Sequence, residues 1–471
     1  MTVRFDPWAG GALAEFAVAH STSSRCHVLV ECTSHLNQRW ARSSLTTNGI
    51  AVDLTVTAIA FDERPDGIAT ASVTESVQDL DGIRSVVDAA DAAALAAAPA
   101  EDASAYADPA VSDDFDAPAQ ILPPTHLAGA TGNLGELIGW AAAAGVELFG
   151  YLERESTTLW LATSDGTRLR HCAPSDRLEI TAKSHQRTRS TWHGFASAEL
   201  PEHQWHGLRT AITAELAWQG NTIVMPPARR TTVLPASAVG DFAIDLYWSS
   251  GAREAVEGRS AFHDDASPTL TKLGRQVADR RIHLSSDPGD AIAPGMPFAE
   301  AGASGRMSSV FDNGRRLATT DWIRAGNLHR LIATTADAGR LGVPSAPVID
   351  TIRLEIEDDG SNASSPLDLV SGVDDGLLLT CVWYNRTVDP QTMLLTGLTR
   401  DGVYVIRGGE IIGATSNFRF NDSPLSMLNR ITAATPSTRT LPREMADYAS
   451  NVVMPSAVVS DMNFTSTSDA R

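Results

Sequence analysis

The chain has 471 residues, 43% of them hydrophobic, with a formal charge of −20 and a pI near 4.9. That length calls for more than one core, and the composition is that of a soluble globular protein. The charge excludes a binder of phosphate backbones, which needs Lys and Arg to release counterions, and no run of about 18 apolar residues is present to span a membrane as a helix.

The first elements read as α+β. Trp8–His20 is predicted to be a short helix, with Leu13, Phe16 and Ala17 at helical spacing. The same stretch from Met1 lacks a basic end followed by an apolar run, so no signal peptide is expected. His27–Cys32 alternates as a strand. Arg39–Thr47, Asn48-Gly49 and Ile50–Phe61 form a hairpin signal, because Asn-Gly readily adopts the positive φ angles of a type I′ turn. On its second strand Val52, Leu54, Val56, Ala58 and Ala60 share a face. Asp79–Ala98 is an Ala-rich helix stopped by Pro99.

Gln78–His126 carries ten acids against one arginine. Its second half, about residues 99–125, is expected to be a flexible, protease-sensitive acidic loop with too little to bury. A second Ala-rich helix, Asn133–Ala144, ends at Gly145. Glu147–His171 repeats the hairpin pattern around Asp165-Gly166, Arg177–Trp192 reads as one polar strand, and Glu202–Trp218 as an amphipathic helix. Met225-Pro226-Pro227 marks the expected boundary between an N-terminal domain (1–225) and a C-terminal β-rich α+β domain (226–471).

Beyond it come a strand at Thr231–Leu234, a helix at Ser237–Trp248, and a loop-rich centre with another Asn-Gly turn at Asn313-Gly314. Strands follow at Thr351–Ile356, Leu377–Tyr384, Val403–Ile406, Ile411–Arg419 and Val452–Phe464. Short helices are predicted at Pro366–Val370 and Pro424–Ile431.

Chemical motifs are sparse. The four cysteines (Cys26, Cys32, Cys172, Cys381) are scattered without a C-x-x-C pair, which fits a reducing, cytoplasmic setting. His203 and His206 share a helix face, but two ligands do not make a zinc site, and neither is followed by glutamate. His20, His27 and His35 have no metal-ligand spacing. No G-x-S-x-G elbow or G-x-x-x-x-G-K-[ST] loop occurs. Gly132-Asn133-Leu134-Gly135-Glu136 reads as a helix N-terminus capped by Asn133 in preference to half a dinucleotide fingerprint. Lys183–Arg189 and Arg229-Arg230 are expected to be solvated faces. The residues taken alone therefore give a large acidic α+β protein without a recognisable active site.

Several stretches, in order, resemble the TldD/PmbA family. Arg39–Gly49 resembles its R-x-A-x-N-x-x-x-x-N-G hairpin. Glu257–Phe262, Leu273-Gly274 and Asp287-Pro288 follow its S-F-L…L-G…D-D-P block. Phe298–Gly302 stands where the family has F-D-x-E-G, and Val310–Leu317 is similar to its L-I-E-N-G-V-L. Gly326-Asn327 matches a G-N pair, Gly402–Ile412 resembles the C-terminal G-x-x-I-x-N-G-E-I hairpin, and Leu425–Ile431 fits the helix after it. Ala299, Ala301 and the glycine-free Arg386–Met393 depart from the pattern.

The resemblance implies a two-domain fold: an N-terminal antiparallel sheet with helices, then a curved, mostly antiparallel β-rich domain. It also implies one of two kinds of subunit. The TldD kind carries H-E-x-x-x-H and a later cysteine, and binds catalytic zinc; the TldE/PmbA kind does not. Here no histidine is followed by glutamate, and no cysteine follows Cys381. Aligned on Ser260-Ala261-Phe262, the ligand places hold Ala243, Ile244 and Trp248; an ungapped match instead falls on Arg253-Glu254-Ala255-Val256-Glu257-Gly258. Both registers remove each histidine.

The expectation is a TldE/PmbA-like subunit with no catalytic residues, metal or cofactor of its own. Its partner would be a TldD-like subunit bearing H-E-x-x-x-H and zinc, the two enclosing a cavity for flexible peptides; a homodimer in isolation stays open. Gly302, Asn313, Gly314, Gly326 and Asn327 are the peptide-cavity candidates. The alternatives are a stand-alone binding protein of the gyrase-modulator type, whose acidic surface mimics DNA, and a hydrolase with an unrecognised site.

Overall fold

The computed structural model describes residues 5–197, 200–357, 360, 362–449 and 451–468. Met1–Arg4, at the head of the stretch read for a signal peptide, lie outside the described residues.

The first half is one six-stranded antiparallel sheet, in the order β3-β2-β1-β4-β5-β6. Its strands are β1 (Arg25–Ala41), β2 (Ser44–Arg64), β3 (Gly67–Ser76), β4 (Glu147–Thr163), β5 (Arg168–Ser184) and β6 (Arg189–Phe195). Four helices cover one face: α1 (Gly10–His20), α2 (Leu80–Ala96), α3 (Ala128–Ala143) and α4 (Glu202–Trp218). Side chains alternate across the sheet, so Val28, Val30, Leu54, Val56, Ala58 and Trp160 pack under α1 and α2. Leu36, Trp40, Leu152, Leu178 and Ile180 pack under α3 and α4. Asp79 caps α2, its Oδ1 accepting from Gly82 N at 2.8 Å.

Three local expectations are corrected here, and the acidic stretch gains a detail. The β1–β2 hairpin turns at Arg42-Ser43 (φ 52° and 57°), not at Asn48-Gly49, which pair with Gln38 and Asn37 inside the ladder. Burial of Leu36 and Trp40 fixes that register, and Ser43 Oγ accepts from Leu148 N at 3.0 Å, tying the turn to β4. Arg177–Trp192 is two strands, broken by His185, Gln186 and Arg187 at positive φ. Gly132–Glu136 lies inside α3 and forms no helix N-terminus. The acidic stretch after α2 buries Phe115, Ala119 and Leu122, and Trp160 Nε1 donates to Phe115 O at 3.0 Å; a few apolar anchors hold it to the sheet despite its composition.

The second half opens with β7 (Arg229–Leu234), α5 (Ala236–Trp248), α6 (Ala252–Val256), β8 (Ile282–Ser286), β9 (Thr320–Arg324) and β10 (Asn327–Leu328). Next come α7 (Thr335–Leu341), β11 (Thr351–Ile356), α8 (Pro366–Ser371), β12 (Asp375–Asp389), β13 (Leu394–Arg407) and β14 (Glu410–Ala414). The chain continues through β15 (Asn417–Asp422), α9 (Pro424–Leu428), β16 (Ile431–Ala434), β17 (Thr438–Thr440), β18 (Asn451–Met454) and β19 (Ala457–Ser468).

Strands β7, β19, β15, β13 and β12 close a ring, because β12 pairs with both β13 and β7. The other sheet, β10-β9-β8-β11-β18-β17, stays open as a half-barrel. Between them lies α5, apolar on nearly every side and buried accordingly. The fold is thus α+β, with a helix-covered antiparallel sheet followed by curved β-rich sheets, as the sequence led us to expect. None of the helices among the described residues is long and apolar enough to cross a membrane.

Candidate functional site

The uncovered face of the first sheet is divided along its strands. At one end Leu29, Ile59, Phe61, Leu159, Leu161 and Leu169 are apolar, and the second half seals them with Phe298, Val310 and Phe311. Further along, the same alternation turns polar: β1 offers Glu31, Thr33, His35 and Asn37, and β4 offers Thr157, Glu155, Glu153 and Tyr151.

Opposite this polar region, the C-terminal half leaves a cleft of about 500 Å³. Its walls include Glu153, Glu155 and Arg177 from the sheet, Ile244, Tyr247 and Trp248 from α5, and Val348–Ile352. A second chamber of about 460 Å³, lined by Phe298, Glu300, Arg306 and Leu317, shares Trp248, Val348 and Asp350 with the first. The 443–449 segment closes one side. Asp241, buried on α5, holds it by accepting from Arg443 N, Glu444 N and Met445 N at 3.3, 3.0 and 3.0 Å.

Charge in the cleft is unbalanced. Its arginines are engaged: Arg177 reaches Glu179 and Asp447, each at 2.5 Å, and Arg306 lies 3.3 Å from Glu254. Glu31, Glu155, Glu300 and Asp350 have no Lys or Arg in ion-pair contact among the described residues. Neighbouring protein atoms partly desolvate Glu300, which still reaches solvent, and push its carboxyl up, with the charges of Glu31 and Asp350 adding to it. Partial desolvation, then Glu155, does the same to the exposed Glu31, and partial desolvation raises the exposed Asp350. Burial lowers His171, keeping it neutral beside Asp350.

His35, Glu153 and Glu155 offer donor atoms within 4.8 Å of one another. His35 Nε2 meets Glu153 Oε2 at 2.8 Å, and its Nδ1 faces the amide Nδ2 of Asn37 at 3.4 Å. Tyr151 OH also donates to Glu153. The set is a hydrogen-bonded His–Glu pair that sequence spacing gave no means of finding.

None of the five cavity candidates is a wall residue of either chamber. Asn313 and Gly314 back the wall. The Asn313 side chain accepts from Ala301 N (2.6 Å) and donates to Ala301 O (3.0 Å), while Gly314 N donates to Ala299 O (2.9 Å). Together they fix the segment that carries Glu300. Gly314, at φ +86°, sits against Thr167 and Leu161, and Gly302 lies beside Thr57. Gly326 and Asn327 are elsewhere, at the β9–β10 turn, where a Cβ on Gly326 would come within 2.3 Å of Ala278 O. His203 and His206 are exposed on α4. The residues that sequence reasoning missed are the carboxylates themselves. Their signal was the polar alternation of β1 and β4, which reads the same whether it faces bulk water or a cleft.

A helix-covered sheet facing a barrel and half-barrel across an acidic cleft defines the architecture. The family model for the PmbA/TldA metallopeptidase C-terminal domain matches residues 227–466, just over half of the chain. The chain belongs to the PmbA/TldD metallopeptidase family. Among solved structures it is similar to TldE from Thermococcus kodakarensis, with 11% identity and a TM-score of 0.74 over 96% of this chain and 99% of that one. It is also similar to a proposed modulator of DNA gyrase from Bacteroides thetaiotaomicron, with 13% identity and a TM-score of 0.72 over 96% and 98%. A like-named Thermotoga maritima protein has 13% identity and a TM-score of 0.68 over 94% and 96%. At these identities the likeness establishes the fold. No curated protein matches by sequence.

Proposed function

We infer that this chain is the metal-free, TldE-like subunit of a two-chain metallopeptidase for small flexible peptides, and that its cleft forms part of the peptide-binding enclosure. The observation carrying this is on α5. Ile244 and Trp248, one turn apart, present an alkyl and an indole side chain to the cleft, in the register where the resemblance sets the glutamate and second histidine of H-E-x-x-x-H. Neither has a lone pair for zinc, so the metal does not fit here. The rival register, Arg253–Gly258, lies on and just after α6 and contributes to neither chamber wall. There Glu254 faces Arg306.

In this reading the chain binds and orients substrate while a TldD-like partner supplies zinc and the activated water. A narrow enclosure admits an extended chain and excludes folded protein. The test is co-purification from the native host, followed by metal analysis of the separated chains. Zinc should travel with a partner bearing H-E-x-x-x-H. About one tightly held zinc per copy of this chain after dialysis overturns the reading.

A further inference from the structure

We propose that the cleft selects extended peptide segments bearing Lys or Arg over neutral or acidic ones, a preference that rests on the peptide-cavity reading above. Carboxylates stand on both walls: Glu155 comes from the first sheet, Glu300 and Asp350 from the C-terminal half, with Glu31 of the sheet beside them and no arginine or lysine in ion-pair contact with any of the four among the described residues. Aromatic and apolar surface lies between them, with Tyr247, Trp248, Val348 and the 69% exposed Tyr448.

A basic side chain matches both kinds of surface. Its ammonium or guanidinium meets carboxylates and indole or phenol faces, while its methylene stem lies along apolar surface. A cation also offsets the mutual repulsion of these carboxylates, which adds to the desolvation that raises Glu300 and Glu31. An acidic peptide adds charge of the same sign and is excluded.

The experiment is an anisotropy titration of the full chain with three fluorescein-labelled, unstructured peptides of equal length: Lys-rich, neutral and Glu-rich. Because the whole chain is acidic, two charge-matched double variants separate the cleft from general attraction. One is Glu155→Gln with Glu300→Gln; the other is Asp81→Asn with Glu136→Gln, both exposed on helices that cover the opposite face of the sheet. Their thermal melts verify folding. The Lys-rich peptide should bind about tenfold tighter than the neutral one. That ratio should fall toward one in the cleft variant and persist in the surface variant. Equal affinities in the wild type, or a preference that the cleft variant retains, overturn the proposal while leaving peptide binding standing. If none of the peptides binds, the peptide-cavity reading fails, and the preference with it.

Discussion

Asp245 lies near the C-terminal end of α5, and burial pushes its pKa up to about 6 from an ordinary 3.8. The folded carboxyl keeps its proton to higher pH than the unfolded one. Its contribution to stability is therefore full below about pH 4 and is lost as pH rises through about 6. Asp245→Asn, which can keep the contact with Asn385, should match the wild type at pH 4. It should be the more stable at pH 7, by about 2 kcal/mol. Parallel melting curves across that range would contradict the assignment. A different cost attends Asp401, which takes a charge-assisted bond from Arg443 and another bond from Ser190 Oγ at 2.5 Å. The Arg443 guanidinium is flanked by Trp192 and Trp383, 5.1 and 5.3 Å from the ring centroids. Removing one member of a buried pair leaves the other uncompensated, so Asp401→Asn should lower stability by about 3–5 kcal/mol in denaturant titrations.

Elements were legible where periodicity and punctuation agreed. α4 was bounded correctly by its amphipathic spacing and Gly220, and α5 to within one residue. The first hairpin was legible as a pair of strands but not as a turn. Asn48-Gly49 carries the local signal, yet register belongs to Leu36 and Trp40, whose burial is a tertiary fact. Asn48→Ala should consequently change stability by less than about 0.5 kcal/mol, whereas Arg42→Asn should stabilise by a few tenths by easing the left-handed φ. A loss above about 1 kcal/mol for Asn48→Ala would return the turn to the dipeptide. In the stretch 99–124, composition averages over the apolar anchors and hides them. Phe115 alone ties it to Trp160 and to α1, and Phe115→Ala should cost about 3 kcal/mol in thermal melts.

At the scale of the molecule, the order of short motifs along the chain was readable, and with it the family and the α+β class. Ring closure of the barrel was not, because pairing of β12 with β7 joins strands far apart in sequence with no local mark. The cleft was equally hidden: it exists only where the polar region of one sheet meets α5 and the 348–351 segment. The central claim, that this chain shapes a peptidase without performing its chemistry, is tested most directly by reconstitution with a TldD-like partner. Hydrolysis of an unstructured peptide should be assayed for each chain alone, for the wild-type pair, and for the pair carrying Glu254→Gln in this chain. The account predicts chelator-sensitive cleavage by both pairs at similar rates and none above background from this chain alone. Robust chelator-sensitive cleavage by this chain alone, abolished by Glu254→Gln, would contradict it.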